Sequence, residues 1–171
     1  MILLIDKNQV AQKLQVAIGY DLSEYNTFIN EAQEFDLKPL VSEDFFFDLL
    51  ANRSLPTWKK LIDGGNYDFN GRTYHFQGLS TVLSYFSYAR FVMSSSAIST
   101  SHGMVVKTTP HSVPLDLEER KNFYYKKRTE ANMLFQDCIK HIERNADLFP
   151  SFYESTCGSK KITGFSTRII K

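Results

Sequence analysis

Residues 78–114 read GLSTVLSYFSYARFVMSSSAISTSHGMVVKTTPHSVP, and the first half of that stretch has the spacing of a helix. Leu79, Val82, Leu83, Phe86, Ala89 and Met93 recur along one side, with Tyr85, Tyr88 and Val92 along another. Both sets fit a 3.6-residue period. A helix that is apolar on more than one side is covered on more than one side, by its own domain or by a neighbouring chain, which places this one centrally. At Ser94, Ser95 and Ser96 the pattern stops, and a Ser/Thr-rich, β-prone loop over about 99–113 encloses Met104-Val105-Val106 between Gly103 and Pro110. That run has strand propensity but no obvious local partner, so the reading expects it to pair with a strand of a neighbouring subunit.

Working outward, the segment before this helix carries the strongest local signal in the chain. In the hairpin over about 67–76, Asn70-Gly71 supplies the two residues that tolerate positive φ in a type I′ turn. That register sets Tyr67 opposite Tyr74 and Phe69 opposite Arg72. A lone hairpin is marginal in water, so it must lie on a helix or on another chain. Further upstream, Asp6 caps a helix through Leu14, and Gly19 separates it from a second helix over 22–35. There Leu22, Tyr25, Phe28, Ile29, Ala32 and Phe35 form one stripe, and Pro39 is expected to end the segment. Ser42 caps a third helix carrying Phe45, Phe46 and Phe47, and Pro56 opens a short fourth that Gly64 and Gly65 terminate. Downstream, Asp116 and Glu119 form an acidic capping box for the longest helix. Its apolar positions Leu117, Tyr124, Ala131, Leu134, Phe135, Cys138, Ile139 and Ile142 run to about Asn145, and it should pack antiparallel to the central helix.

The fold class is therefore mainly α, a small helical bundle with one hairpin and one long β-prone loop. We divide it into a helical domain over 1–150 and a C-terminal extension over 151–171. A chain of 171 residues with 14 Phe and 9 Tyr can bury a core without staples. Its two cysteines make no disulfide framework, and Cys138 falls on an apolar stripe as a buried thiol. Met1-Ile2-Leu3-Leu4-Ile5 is too short to span a membrane and lacks a basic region ahead of it. Charge is uneven: residues 1–50 carry 3 Lys against 9 Asp or Glu, a net −6, which leaves +7 for residues 51–171 given the overall +1. Such polarity suits two solvated faces, or a subunit whose one flank meets the opposite flank of an identical copy.

Chemistry is sparsely signalled. His75, His102, His111 and His141 share no metal-ligand spacing, no nucleophile elbow accompanies the serines, and no Gly-rich phosphate loop is present. The reading is accordingly not an enzyme, with no metal and no cofactor. Lys126-Lys127-Arg128 lies opposite the apolar stripe of the long helix and reads as a solvated basic face.

The order of elements from Leu79 to Tyr153 resembles the head-to-tail connector (adaptor) proteins of tailed bacteriophages, in the form found in phages and prophages of Bacteroidetes, including crAss-like phages. Tyr85, Ala89, Arg90, Thr100, Gly103, Val105, Lys107, Ser112, Pro114 and the helix that follows carry the likeness. It implies a ring-forming virion subunit, twelve-fold in that family, that docks below the portal protein, extends the DNA channel and joins the tail or further ring proteins. Genomic DNA would pass without sequence-specific binding, and assembly would take place in the host cytoplasm. The competing reading is a small helical module that binds nucleic acid or protein outside any virion.

Three sets of interface residues follow. The loop set is Gly103, Met104, Val105, Val106, Lys107 and Thr108, and the hairpin set is Tyr67, Phe69, Arg72 and Tyr74. The tail set is Lys160, Lys161, Ile162, Phe165, Ile169 and Ile170, a basic segment with apolar anchors that is expected to order on the acidic N-terminal half of an adjacent subunit or on the portal, the rival reading being a strand folded back on its own domain.

Overall fold

Helix α6 (Gly78–Ser94) is the axis of the structure. The computed structural model describes residues 2–16, 22–94, 97–100, 103–106 and 115–154. Around α6 lie α1 (Lys7–Lys13), α2 (Leu22–Ala32), α5 (Pro56–Asp63) and the long α7 (Leu117–Arg144). Leu79, Val82, Leu83, Phe86, Ala89 and Val92 are all buried, and so are Ser80, Thr81, Ser84 and Ser87 between them. Three of these hydroxyls turn back along the same run of chain, Ser84 Oγ donating to the Ser80 carbonyl at 2.7 Å, Thr81 Oγ1 to the Gln77 carbonyl at 2.8 Å and Ser87 Oγ to the Ser84 carbonyl at 3.1 Å. Small side chains with satisfied hydroxyls let neighbouring helices approach closely on the side where large apolar ones are missing. Of the two coverings left open for α6, its own domain supplies most, with Tyr85, Tyr88, Phe91 and Met93 half-buried.

Helix α7 runs antiparallel to α6. Arg120 Nη1 donates to the Met93 carbonyl at 3.3 Å near the end of α6, while farther along α7 the Arg128 guanidinium stands 5.4 Å from the Phe86 ring centre. Asp116 caps α7 through the full box with Glu119, as its spacing predicts. Asp6 with Gln9 does the same for α1, and Ser42 Oγ accepts from the Phe45 amide at the start of α4 (Glu43–Asn52). Phe45 and Phe46 are buried, but Phe47 is 54% exposed, because three consecutive helical positions cannot share one face.

The second helix departs from its expected course. After Ala32 the chain widens into a π-helical turn, Gln33–Leu37, and then continues as α3 (Lys38–Val41) with Pro39 inside the continuation. Proline has no amide hydrogen, and its ring collides with the carbonyl four residues back in regular α geometry. Here the Lys38 amide reaches the Gln33 carbonyl, five residues back, so the wider turn absorbs the conflict and the chain stays helical through Pro39. The buried positions nevertheless keep helical spacing through the wide turn, Tyr25, Ile29, Ala32, Gln33, Asp36 and Leu37, and Phe35 falls outside that face. Phe35, expected in the apolar stripe, is 66% exposed, while Asp36 and Leu37 turn inward.

Strands β1 (Gly65–Phe69) and β2 (Arg72–Phe76) pair antiparallel with Tyr67 opposite Tyr74 and Phe69 opposite Arg72, as the turn chemistry requires. Asn70 and Gly71 have φ of 50° and 73°. A second ribbon, β3 (Ala97–Thr100) with β4 (Gly103–Val106), sets Ile98 opposite Val105. Met104-Val105-Val106 therefore has a local partner after all, which corrects the expectation that it lacks one. Four residues on each arm with a two-residue link make an ordinary hairpin; the Ser/Thr content of 97–100 had masked the first arm. Beyond α7, a 3-10 turn (Ala146–Leu148) leads into α8 (Pro150–Glu154), which packs on α4 with Phe152 5.2 Å from the Phe45 ring. Ser151 and Phe152, assigned to the extension on sequence, thus pack against the bundle.

Candidate interaction surfaces

Asp36, four residues after Ala32 and on the same buried face, builds the strongest polar cluster. Its side chain is 1% exposed and sits between Arg90 of α6 and Arg128 of α7, Arg90 Nε donating to Oδ2 at 2.6 Å and Arg128 Nη1 donating to Oδ1. Glu31 of α2 lies 3.3 Å from Arg90 Nη1. Burial pulls the Arg90 pKa down, but the hydrogen bond and charge of Asp36 with the charge of Glu31 outweigh it, and the net direction is up. The two guanidiniums also stack, Arg90 over Phe35 at 5.5 Å and Arg128 over Tyr124 at 5.2 Å. One carboxylate thus fixes three helical segments relative to each other. Lys127 is likewise engaged, 2.8 Å from Glu130 and 4.9 Å from the Tyr85 ring centre. The basic run is therefore not a solvated face: Lys126 is exposed, while Lys127 and Arg128 turn inward. Their stems are long enough to reach back across α7, which helical spacing alone does not reveal.

The hairpin set lies against α7. Tyr67 is buried, its ring 4.6 Å from His141 and 5.7 Å from Tyr74, and its hydroxyl accepts from Arg144 Nη1 at 2.8 Å. Arg144 caps the aromatic stack, 3.9 Å from the Tyr74 ring centre and 5.2 Å from Phe69. Of the four residues proposed for an interface, Tyr67 is enclosed by its own chain, Tyr74 and Phe69 are half-buried, and Arg72 is exposed. The hairpin's need for a supporting surface is met by α7, which sequence left open between a helix and another chain.

His141 lies at the centre of this contact, stacked on Phe76 at 4.3 Å and with its Nδ1 3.2 Å from Asn145 Nδ2. Burial, then the charge of Lys60, brings its pKa down to about 4. A histidine whose folded pKa is depressed stays neutral in the fold, so the unfolded chain binds more protons between pH 6.5 and 4. Stability from this group is complete above pH 6.5 and falls as pH drops toward 4. The expected loss is on the order of 2–3 kcal/mol at pH 4 relative to pH 7. Urea unfolding followed by circular dichroism across that range should show the slope, and His141→Phe should flatten it. An unchanged slope in His141→Phe would refute the assignment.

In the loop set, Gly103–Val106 form β4, whereas Lys107 and Thr108 lie outside the described residues, as does the whole tail set from Lys160 to Ile170. The β3–β4 ribbon has its substantial contacts within itself. Leu115, Leu117, Tyr125 and Met133 are exposed at and along α7, so the first turns of that helix carry apolar side chains outward rather than into the core expected for Leu117.

An open groove of about 780 Å³ runs between α1, α6 and α7, lined by residues that include Gln12, Lys13, Gln15, Tyr88, Phe123 and Lys127. Lys13 Nζ donates to Ser80 Oγ at 2.9 Å and Thr81 Oγ1 at 2.8 Å, and burial lowers its pKa against the pull of Asp63. Cys138 is buried as expected, its thiol pushed up to about 12 by burial and by Asp137. Among the described residues no group of three His, Cys, Asp or Glu is placed to hold a metal ion, and no helix is long and apolar enough to cross a membrane.

Residues 37–162 match a family of unknown function, DUF6712. Comparisons with curated proteins and with solved structures returned no match.

Proposed function

We propose, for a chain that belongs to the DUF6712 family, a structural role: a virion subunit that closes into a ring below the portal of a tailed phage, extends the DNA channel and joins the tail. The observation that carries this reading is the β3–β4 ribbon, which follows α6 and precedes α7 in the chain and, among the described residues, contacts mainly itself. A two-stranded ribbon is marginal on its own, and each strand has an outer edge that a neighbouring subunit or the portal completes by β-augmentation. Exposed Leu115, Leu117, Tyr125 and Met133 supply apolar contact, and the −6 and +7 halves of the chain suit a head-to-tail interface between copies. The element order that underlies the resemblance to connectors, helix, β segment, capped long helix, holds from α6 to α8. A nucleic-acid module built on Lys126, Lys127 and Arg128 finds less support, since two of the three are engaged within the fold.

Multi-angle light scattering and electron micrographs of the full chain, alone and with portal, should show masses rising to a closed ring. Val105→Pro removes a backbone donor from the ribbon and should abolish the ring while helical circular dichroism stays unchanged. A strict monomer under both conditions overturns the reading.

A further inference from the structure

Exposed Phe35 borders a surface that the described part of the bundle leaves open. A depression of about 440 Å³ is lined by Glu34, Phe35, Lys38, Pro39, Ser42 and Glu43. Lys38 spans it, 3.0 Å from Glu43 and 5.0 Å from the Phe47 ring centre, so Phe35 and Phe47 flank one site. The two rings are 66% and 54% exposed, and one lysine faces two carboxylates, Glu43 at 3.0 Å and Glu34 at 3.9 Å. The corner therefore wants an occupant that is apolar in part and basic overall.

We infer that residues 155–171 of the same chain cover this corner. The segment holds Lys160, Lys161, Arg168 and Lys171 and no acid, together with Ile162, Phe165, Ile169 and Ile170. Its chemistry complements both features of the site. Its point of departure also fits. The described chain ends at Glu154 in α8, which rests on α4 through Phe152 and Phe45, and Phe47 lies roughly 200° around the same helix from Phe45. Rounding a helix of about 10 Å diameter is well within the ~50 Å that the segment can span. A short tether of that kind gives the segment a millimolar-range effective concentration at its own corner, which favours this copy over a neighbour. The exposed aromatic pair is then shielded in the free subunit.

A photo-reactive benzoyl-phenylalanine at position 165 of the full chain tests this. After irradiation, the cross-linked peptides should fall within residues 34–48, and a mixture of isotopically heavy and light copies should give no heavy–light pairs. Cross-links elsewhere, none at all, or heavy–light pairs at the corner each overturn the inference, the last by assigning the corner to a second copy. Phe35→Ser combined with Phe47→Ser alters only exposed rings, so helical content should persist while the cross-link yield falls about five-fold or more. Unchanged yield would also overturn it. The readout lies within one chain, so ring assembly neither supports nor undermines it.

Discussion

Asp36→Ala is expected to destabilise the protein by about 3–5 kcal/mol, because it strands two buried-edge guanidiniums rather than merely deleting a contact. Arg128 would retain only the faces of Phe86 and Tyr124, and Arg90 would keep Glu31 at 3.3 Å on the more exposed side. An ion pair taken from water gains little over a well-packed apolar pair, so the loss comes chiefly from the uncompensated cations. A double-mutant cycle separates the two contributions. Asp36→Ala and Arg128→Met should each be costly singly, and their combination should cost clearly less than the sum, since the second change removes a charge that the first has orphaned. Urea unfolding monitored by circular dichroism supplies the free energies. Strict additivity, or a single-site loss below about 1 kcal/mol, would show that the cluster is solvated and does not brace α6 and α7.

Asp36 also shows where sequence reading stops. The central helix, the Asp116–Glu119 capping box, the Asp6 and Ser42 caps, the Asn70-Gly71 turn and its register were legible because each depends on residues within one or two turns of each other. The π-helical turn was not, because Pro39 signals only that regular α geometry fails nearby, and chain termination and a widened turn both answer that signal. Asp36 was missed for another reason: it follows Ala32 by four residues and shares its buried face, but an acid is not read as a core position. Arg90 among buried α6 residues and Arg128 in a basic run were the visible half of the cluster; which acid they meet depends on contacts 54 and 92 residues apart in sequence. The hairpin's support was left open for a related reason. Tyr67 and Phe76 need an apolar surface, and His141, formally polar, supplies it by stacking in its neutral form.

The glycines at the base of that hairpin lead to the second large expected effect. Gly64 ends α5 at φ 84° and Gly78 begins α6 at φ 76°, and the two meet backbone to backbone. A Cβ on Gly78 would lie 2.5 Å from the Ile62 carbonyl oxygen and closer still to the Gly64 amide nitrogen. Its backbone also takes part in a hydrogen bond with the Cys138 thiol, so α7 limits retreat on the other side. None of these is a flexible side-chain end that could swing away. Gly78→Ala should therefore combine left-handed strain with a clash against fixed backbone, for a loss of about 3 kcal/mol or more. Gly71→Ala is the control. Its φ of 73° is nearly the same, but nothing lies within 4 Å of the added carbon, so it should show the conformational penalty alone, about 1–2 kcal/mol. The difference between the two variants in urea unfolding measures the close approach itself. Equal losses would mean that α5 and α6 can separate at this joint without consequence, and that the hairpin is held by Tyr67, Phe76 and His141 rather than by its base.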